Sequence, residues 1–157
     1  MIQPQDVTIQ EITNILNDAA IDHRVEADGD IYVTGLAFNF WINIDRGSSR
    51  LNLSTYWDFL PGVSELEALR CANACNASLV ALQFYIVGGG RSLRASQIIP
   101  TGDGLVRIAL LRALRVFADV FKAAIADASR AELFPALEGP PDFDPGSDFI
   151  PRGQILN

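Results

Sequence analysis

The stretch Phe38-Asn39-Phe40-Trp41-Ile42-Asn43-Ile44, the turn Asp45-Arg46-Gly47-Ser48-Ser49, and the return Leu51-Asn52-Leu53-Ser54-Thr55-Tyr56-Trp57 decide the fold. Phe38, Phe40, Ile42 and Ile44 alternate with Asn39, Trp41 and Asn43; Leu51, Leu53, Thr55 and Trp57 alternate with Asn52, Ser54 and Tyr56. Successive side chains on a strand point to opposite faces, so each run has one apolar face to bury. A short polar turn can only join antiparallel neighbours. A sheet apolar on one side needs helices to cover it.

Upstream, Thr8 and Glu11 stand at capping-box spacing, and Ile9, Ile12, Ile15, Leu16 and Ala19 recur on one helical face, predicting a helix over 8–20. Asp28-Gly29 reads as a tight turn between strands at His23–Ala27 and Ile31–Val33. Gly35 marks a bend or break before the deciding stretch.

Downstream, Leu60-Pro61-Gly62 breaks the chain and Ser64 with Glu67 forms a second capping box, opening a helix over 65–78. At 100° per residue Leu66, Leu69, Asn73 and Asn76 share one face, with Ala68, Cys71, Ala72 and Cys75 on a neighbouring one. An amide buried without a partner costs about 1–3 kcal/mol, so Asn73 and Asn76 are expected to be at least half buried and hydrogen-bonded. Val80 to Val87, Gly88-Gly89-Gly90 and Arg91 to Ile99 then read as a hairpin. A last helix over 105–129 keeps Arg107, Arg112, Arg115, Asp119 and Lys122 in one arc. Leu110, Ala113, Leu114, Phe117, Val120 and Phe121 cover the rest, widened by Val106 and Ala109. An apolar arc that wide predicts burial on two sides, against the sheet and against another subunit.

The expected fold class is therefore α+β: an antiparallel sheet of five or six strands with three helices, in the order α-β-β-(β)-β-α-β-β-α. It forms one domain over 1–129, followed by an acidic, proline-rich tail over 130–157 that holds five of the eight prolines. A chain cut after Ser129 is expected to stay folded. The tail, with Phe143 and Phe149, is expected to cover part of the surface locally.

Composition narrows the function classes. Of 157 residues, 49% are hydrophobic and 20% charged, enough to build a core. Net charge is −7, against a nucleic-acid binder that relies on overall basicity. The sign is uneven: residues 1–67 carry −8, residues 68–122 carry +5 and residues 123–157 carry −4, so a local basic face could still receive an acidic partner. Met1 to Gln10 has no signal-peptide pattern, and charges interrupt 105–126, so no membrane segment and a cytoplasmic location are expected.

The residues that could carry chemistry are few. His23 is the only histidine, and Asp22 beside it would point to the other face of a strand. Cys71 and Cys75 lie one helical turn apart but lack a second pair to complete a zinc site, and they read as buried packing. Gly88-Gly89-Gly90-Arg91 joins two strands, whereas a phosphate loop leads into a helix. Gly102-Asp103-Gly104 precedes a helix, but Asp103 opposes an anion. Asp28 and Asp30 flank a turn, and Asp142, Asp144 and Asp148 lie in the tail, where preorganised acid–base work is implausible. No catalytic, cofactor-binding or metal-binding residue is assigned, no cofactor is expected, and ligand-binding residues stay unassigned. Trp41, Tyr56, Trp57 and Phe59 are richer material: Trp41 and Tyr56 on the face away from the core leucines would form an aromatic contact patch.

Over residues 8–129 the order of these features resembles the bacterial YbjN family. The likeness rests on the opening 8–20 helix, the strand running into Tyr56-Trp57-Asp58-Phe59-Leu60-Pro61, the Asn73-x-x-Asn76 pair, the long hairpin and the closing amphipathic helix. The resemblance implies a fold similar to class I type III secretion chaperones, often dimeric, and a role in sensory transduction or regulation. It brings no catalytic residues. The resulting expectation is a non-enzymatic protein-interaction module, homodimeric, with an unidentified protein partner and neither nucleic acid nor membrane as partner. The alternatives are a self-associating structural or adaptor subunit and, after it, a small-molecule sensor or enzyme.

Overall fold

The computed structural model describes residues 1–87, 89–127 and 129–137. The expectations for Gly88 and for Phe143, Phe149, Asp142, Asp144 and Asp148 lie outside the described residues. The elements follow as α1 (Ile9–Asp18), β1 (His23–Val25), β2 (Ile31–Val33), β3 (Phe40–Asp45), β4 (Arg50–Asp58), α2 (Glu65–Ser78), β5 (Gln83–Val87), β6 (Ser92–Pro100) and α3 (Arg107–Ala126). The strands form one sheet in the spatial order β1-β2-β3-β4-β6-β5, and every neighbouring pair is antiparallel. This is the α+β class read from the alternating pattern. The long apolar run before Gly88 is a strand only from Gln83 on.

Local chemistry sets the element ends. Thr8 accepts from the Glu11 N–H at 3.1 Å, while the Glu11 carboxylate turns to Arg107 at 3.5 Å. The Ser64 box closes in both directions: its hydroxyl accepts from the Glu67 N–H at 3.3 Å and its own N–H donates to the Glu67 carboxylate at 2.9 Å. Gly90, in the β5–β6 turn, has φ of +87°, and a Cβ there would sit 3.0 Å from Glu65 Cα. Only glycine tolerates both that backbone and that approach.

Register decides which side chains form the core. Ile31 and Val33 on β2, Phe40 and Ile42 on β3, Leu51 and Leu53 on β4, Leu93 and Ala95 on β6, and Phe84 on β5 fall on one face, and all are buried. Helix α3 lies on that face, with Phe117 meeting Phe40 at 5.2 Å between ring centroids. Phe121 meets Phe38 at 4.8 Å and Phe84 at 6.3 Å. Each fully buried ring contributes about 1.5–3 kcal/mol, so this aromatic seam outweighs the exposed ion pairs nearby. One of those pairs joins α1 to α3, with Arg107 donating to Asp18 at 2.6 Å; solvent and salt screen a pair this exposed.

Helix α2 departs from expectation in the way it is rotated. Ala68, Cys71, Ala72 and Cys75 are its buried residues, whereas Leu66 and Leu69 are 56% and 50% exposed. Asn73 and Asn76 are exposed as well, not half buried. The physical reason is close packing against β5: small side chains let the helix approach the strand, which bulky leucines would prevent. Asn76 nevertheless keeps the bonds expected of it, donating to the Phe84 carbonyl and accepting from the Phe84 N–H, both at 2.8 Å.

After α3 the chain turns back through a one-turn 3₁₀ helix at Ala131–Leu133. The Leu60 N–H donates to the Leu133 carbonyl at 2.9 Å. Phe134 stacks on Phe59, with centroids 4.8 Å apart and planes 20° from parallel, and is 4% exposed. This contact ties the described end of the chain to the end of β4.

Candidate interaction surface

The face of the sheet opposite α3 carries the side chains of other parity: Arg24, Tyr32, Trp41, Tyr56 and Arg94. They form a continuous cross-strand row. The Arg24 guanidinium lies 4.3 Å from the Tyr32 ring centroid. Tyr32 and Trp41 are 4.8 Å apart, Trp41 and Tyr56 are parallel at 6.0 Å, and Arg94 lies 5.2 Å from Tyr56. Cross-strand aromatic pairs and guanidinium–ring contacts each contribute about 0.5–1 kcal/mol, so the row is rigid as well as aromatic. The Trp41 indole N–H donates to Glu26 at 3.0 Å, and the Asn39 amide donates to the Tyr32 hydroxyl at 3.2 Å.

A second row runs parallel to it. Asn52 donates to Asn43 at 3.2 Å, and Asn43 donates to the Asp30 carboxylate at 3.0 Å. A third pairs Arg50 with Asp45 at 3.1 Å. Hydrogen bonds from Ser48, with Arg50 behind them, hold the Asp45 carboxyl below its ordinary value. These rows contain fixed donors and acceptors, but no nucleophile beside a base.

Trp41 and Tyr56 therefore stand on the face anticipated for them, and Trp57 and Phe59 do not join them. Trp57 meets Phe38 edge-on at 5.8 Å on the core side, and Phe59 is taken up by Phe134. Two members of the row, Arg24 and Tyr32, escaped the sequence reading, and Arg94 entered it only as part of the positive charge of residues 68–122. Their parity on short strands was legible, but which residue faces which across the sheet follows only from register.

The remaining chemical candidates resolve into structure. His23 Nδ1 lies 2.9 Å from the Ile21 carbonyl, a local bond that orients the ring. The Asp28 carboxylate accepts from the Asp30 N–H at 3.0 Å, shaping the turn at Gly29. Gly104 has φ of +91° and its N–H donates to Thr101, so Gly102-Asp103-Gly104 is a turn ahead of α3. Cys71 and Cys75 are free and buried. Their mutual hydrogen bond, followed by burial, pushes the Cys71 thiol up, and the same bond, with Arg130 nearby, brings Cys75 down. Among the described residues no three His, Cys, Asp or Glu side chains gather to hold a metal ion. No described helix is long and apolar enough to cross a membrane.

Fold and surface together define a one-sided antiparallel sheet backed by helices, with an aromatic–arginine row on its other face. No family model matches the chain, and no curated protein matches it in sequence. Solved structures share the fold. The crystal structure of YbjN, a candidate transcription regulator from E. coli, is similar with a TM-score of 0.66 and 14% identity, over 80% of this chain and 93% of that one. An uncharacterized protein from Methanothermobacter thermautotrophicus matches with a TM-score of 0.51 and 12% identity, over 73% of this chain and 94% of that one. A chain of the HopA1–SchA chaperone–effector complex has a TM-score of 0.49 and 12% identity, over 75% and 94%. The likeness to YbjN is one of fold.

Proposed function

We propose that this protein is a non-enzymatic protein-interaction module of the YbjN type, regulatory in role, acting in the cytoplasm. The observation that carries this reading is the orientation of α2. Leu66 and Leu69 point to solvent while alanines and cysteines are buried beneath them. Fully burying such a leucine contributes about 1.5–3 kcal/mol, and folding of the single chain leaves roughly half of that contribution unused. Two leucines one turn apart on a helix are the anchor pattern of helix-mediated protein contacts. The fold shared with YbjN supports the same class, and two buried free thiols suit a reducing compartment.

The test is a full-length Leu66→Asp/Leu69→Asp variant compared with the parent in affinity purification from its native cell and in light scattering. Loss of a co-purifying protein with an unchanged circular dichroism spectrum supports the module. A co-purifying set that the variant leaves intact removes α2 as the contact.

Self-association is the second reading, and α3 favours it. Ile108 is 71% exposed, Val106 45% and Val116 37%, so the outer side of this helix retains apolar area, as a homodimer contact would use. Under this reading Ile108→Asp halves the mass seen by light scattering at micromolar concentration, and an unchanged mass counts against it.

A further inference from the structure

We propose that Cys71 and Cys75 form a binding site for a soft monovalent metal ion, Cu(I), held between two thiolates on the buried face of α2. This inference stands apart from the docking reading, which uses the outer face of the same helix.

Spacing comes first. Residues four apart on a helix lie one above the other, with Cβ atoms about 5–6 Å apart, the spacing at which two histidines on one helix share a zinc ion. Cys71 and Cys75 stand at that spacing within the unbroken helix Glu65–Ser78. Both are free thiols, 3% and 0% exposed, and they hydrogen-bond to each other. The two sulfurs therefore already turn toward one point. Asn76, the next residue, ties this turn of the helix to both backbone groups of Phe84 at 2.8 Å, so the pair rests on a fixed support.

Ligand number comes second. Among the described residues no third His, Cys, Asp or Glu completes a larger metal-binding group. Two thiolates leave half of the zinc tetrahedron unfilled. Cu(I) is soft and selects sulfur, and its closed d shell is satisfied by two thiolates in a line. Ala68 and Ala72, buried beside the cysteines, offer no side-chain donor to a harder ion.

Charge comes third. Two thiolates and one Cu(I) carry a net charge of −1, which is costly to bury alone. Arg130 supplies the offset, because its charge acts on both sulfurs and its side chain is only 11% exposed. The guanidinium is held in place: Nε donates to the Ala124 carbonyl at 3.1 Å, and a terminal nitrogen meets Asp127 at 3.1 Å. Asp127 opposes it, but from a more solvated position, 44% exposed. Packing alone would be served by alanine, as at 68 and 72, and has no use for a cation beside the sulfurs. In binding, each thiol loses its proton to solvent as its sulfur–copper bond forms, and no oxidation state changes.

The test uses the reduced, full-length protein under argon, with Cu(I) supplied as its bicinchoninate complex. Transfer of one ion per chain is expected, read as bleaching of the coloured complex, and excess Zn²⁺ is expected to leave the transfer intact. Cys71→Ala/Cys75→Ala is expected to abolish it with circular dichroism unchanged. Arg130→Gln is expected to keep the stoichiometry and weaken affinity roughly ten-fold, whereas Arg130→Lys retains most of it. If the double-alanine variant fails to fold, X-ray absorption at the copper edge of the loaded parent decides, with two sulfur neighbours and no others expected. Absence of transfer overturns the proposal and leaves the thiols as packing. So do transfer retained by a folded double-alanine variant, displacement of Cu(I) by Zn²⁺, and nitrogen or oxygen neighbours at the copper.

Discussion

The side-chain amide of Asn76 closes the free edge of the sheet by pairing in both directions with the backbone of Phe84, at 2.8 Å for each bond. Strand β5 is the last in the order β1-β2-β3-β4-β6-β5, and Phe84 directs its N–H and carbonyl away from β6. An amide carries one donor group and one acceptor and so imitates the peptide unit of a missing strand. An edge so occupied does not recruit another chain at that point.

Asn76→Leu is accordingly expected to lower stability by about 1–3 kcal/mol, because two backbone groups lose partners that water replaces poorly. Asn73→Leu, on the same helix with its side chain exposed, is expected to stay within about 0.5 kcal/mol of the parent. Chemical-denaturation midpoints check the pair, and equal midpoints for the two variants contradict the edge-closing role.

Gly35→Ala tests a close approach. A Cβ at this position would lie 2.5 Å from the Asp22 backbone nitrogen, where Thr34 and Gly35 both donate to the Asp22 carbonyl. The substitution is expected to cost more than about 1 kcal/mol, since backbone must move. Gly47→Ala, where the added carbon would meet Asp45 at an ordinary 3.5 Å, is the control. A thermal melt of Gly35→Ala matching that control would show the approach to be looser than described.

The Ser64–Glu67 box predicts a pH dependence with a definite sign. The Ser64 side-chain hydrogen bond, followed by the Ser64 backbone N–H, holds the Glu67 carboxyl below its ordinary value of 4.5. A carboxyl lowered on folding adds stability above its unfolded value, and that stability is lost as pH falls through the folded value. Acidification from about 4.5 downward is thus expected to fray the start of α2. Glu67→Gln keeps an acceptor without a titrating group, so the protection of the Glu67 and Ala68 amides, measured relative to their intrinsic exchange, should lose its acid dependence. Persistence of that dependence assigns it to another carboxyl.

Phe134 predicts where the chain tolerates cutting. Removal of residues 138–157 is expected to keep a cooperative unfolding transition, whereas a cut after Ser129 also removes the ring stacked on Phe59. Loss of a buried phenylalanine costs about 3–5 kcal/mol. Urea titration of the two truncations should separate them by an amount of that order, and coincident curves would mean that the stack contributes little.

The sequence alone determined the element order, because each signal behind it is local. Alternation along 38–57, capping residues at Thr8 and Ser64, and glycine at turns needing positive φ act within a few positions of the residues they govern. Membership of the core followed for the same reason: Phe117, Phe121, Leu51 and Leu53 are buried where their periodicity put them. Three features were decided only in the folded molecule. Packing rotated α2 so that its alanines and cysteines met β5 and its leucines met water, a choice between neighbouring faces that a helical wheel leaves open. Strand register brought Arg24, Tyr32, Trp41, Tyr56 and Arg94 into one row from residues up to seventy positions apart, and a register is a property of two strands together. The return of Phe134 to Phe59 depends on where α3 ends relative to β4, a distance set by the packing of α3 on the sheet.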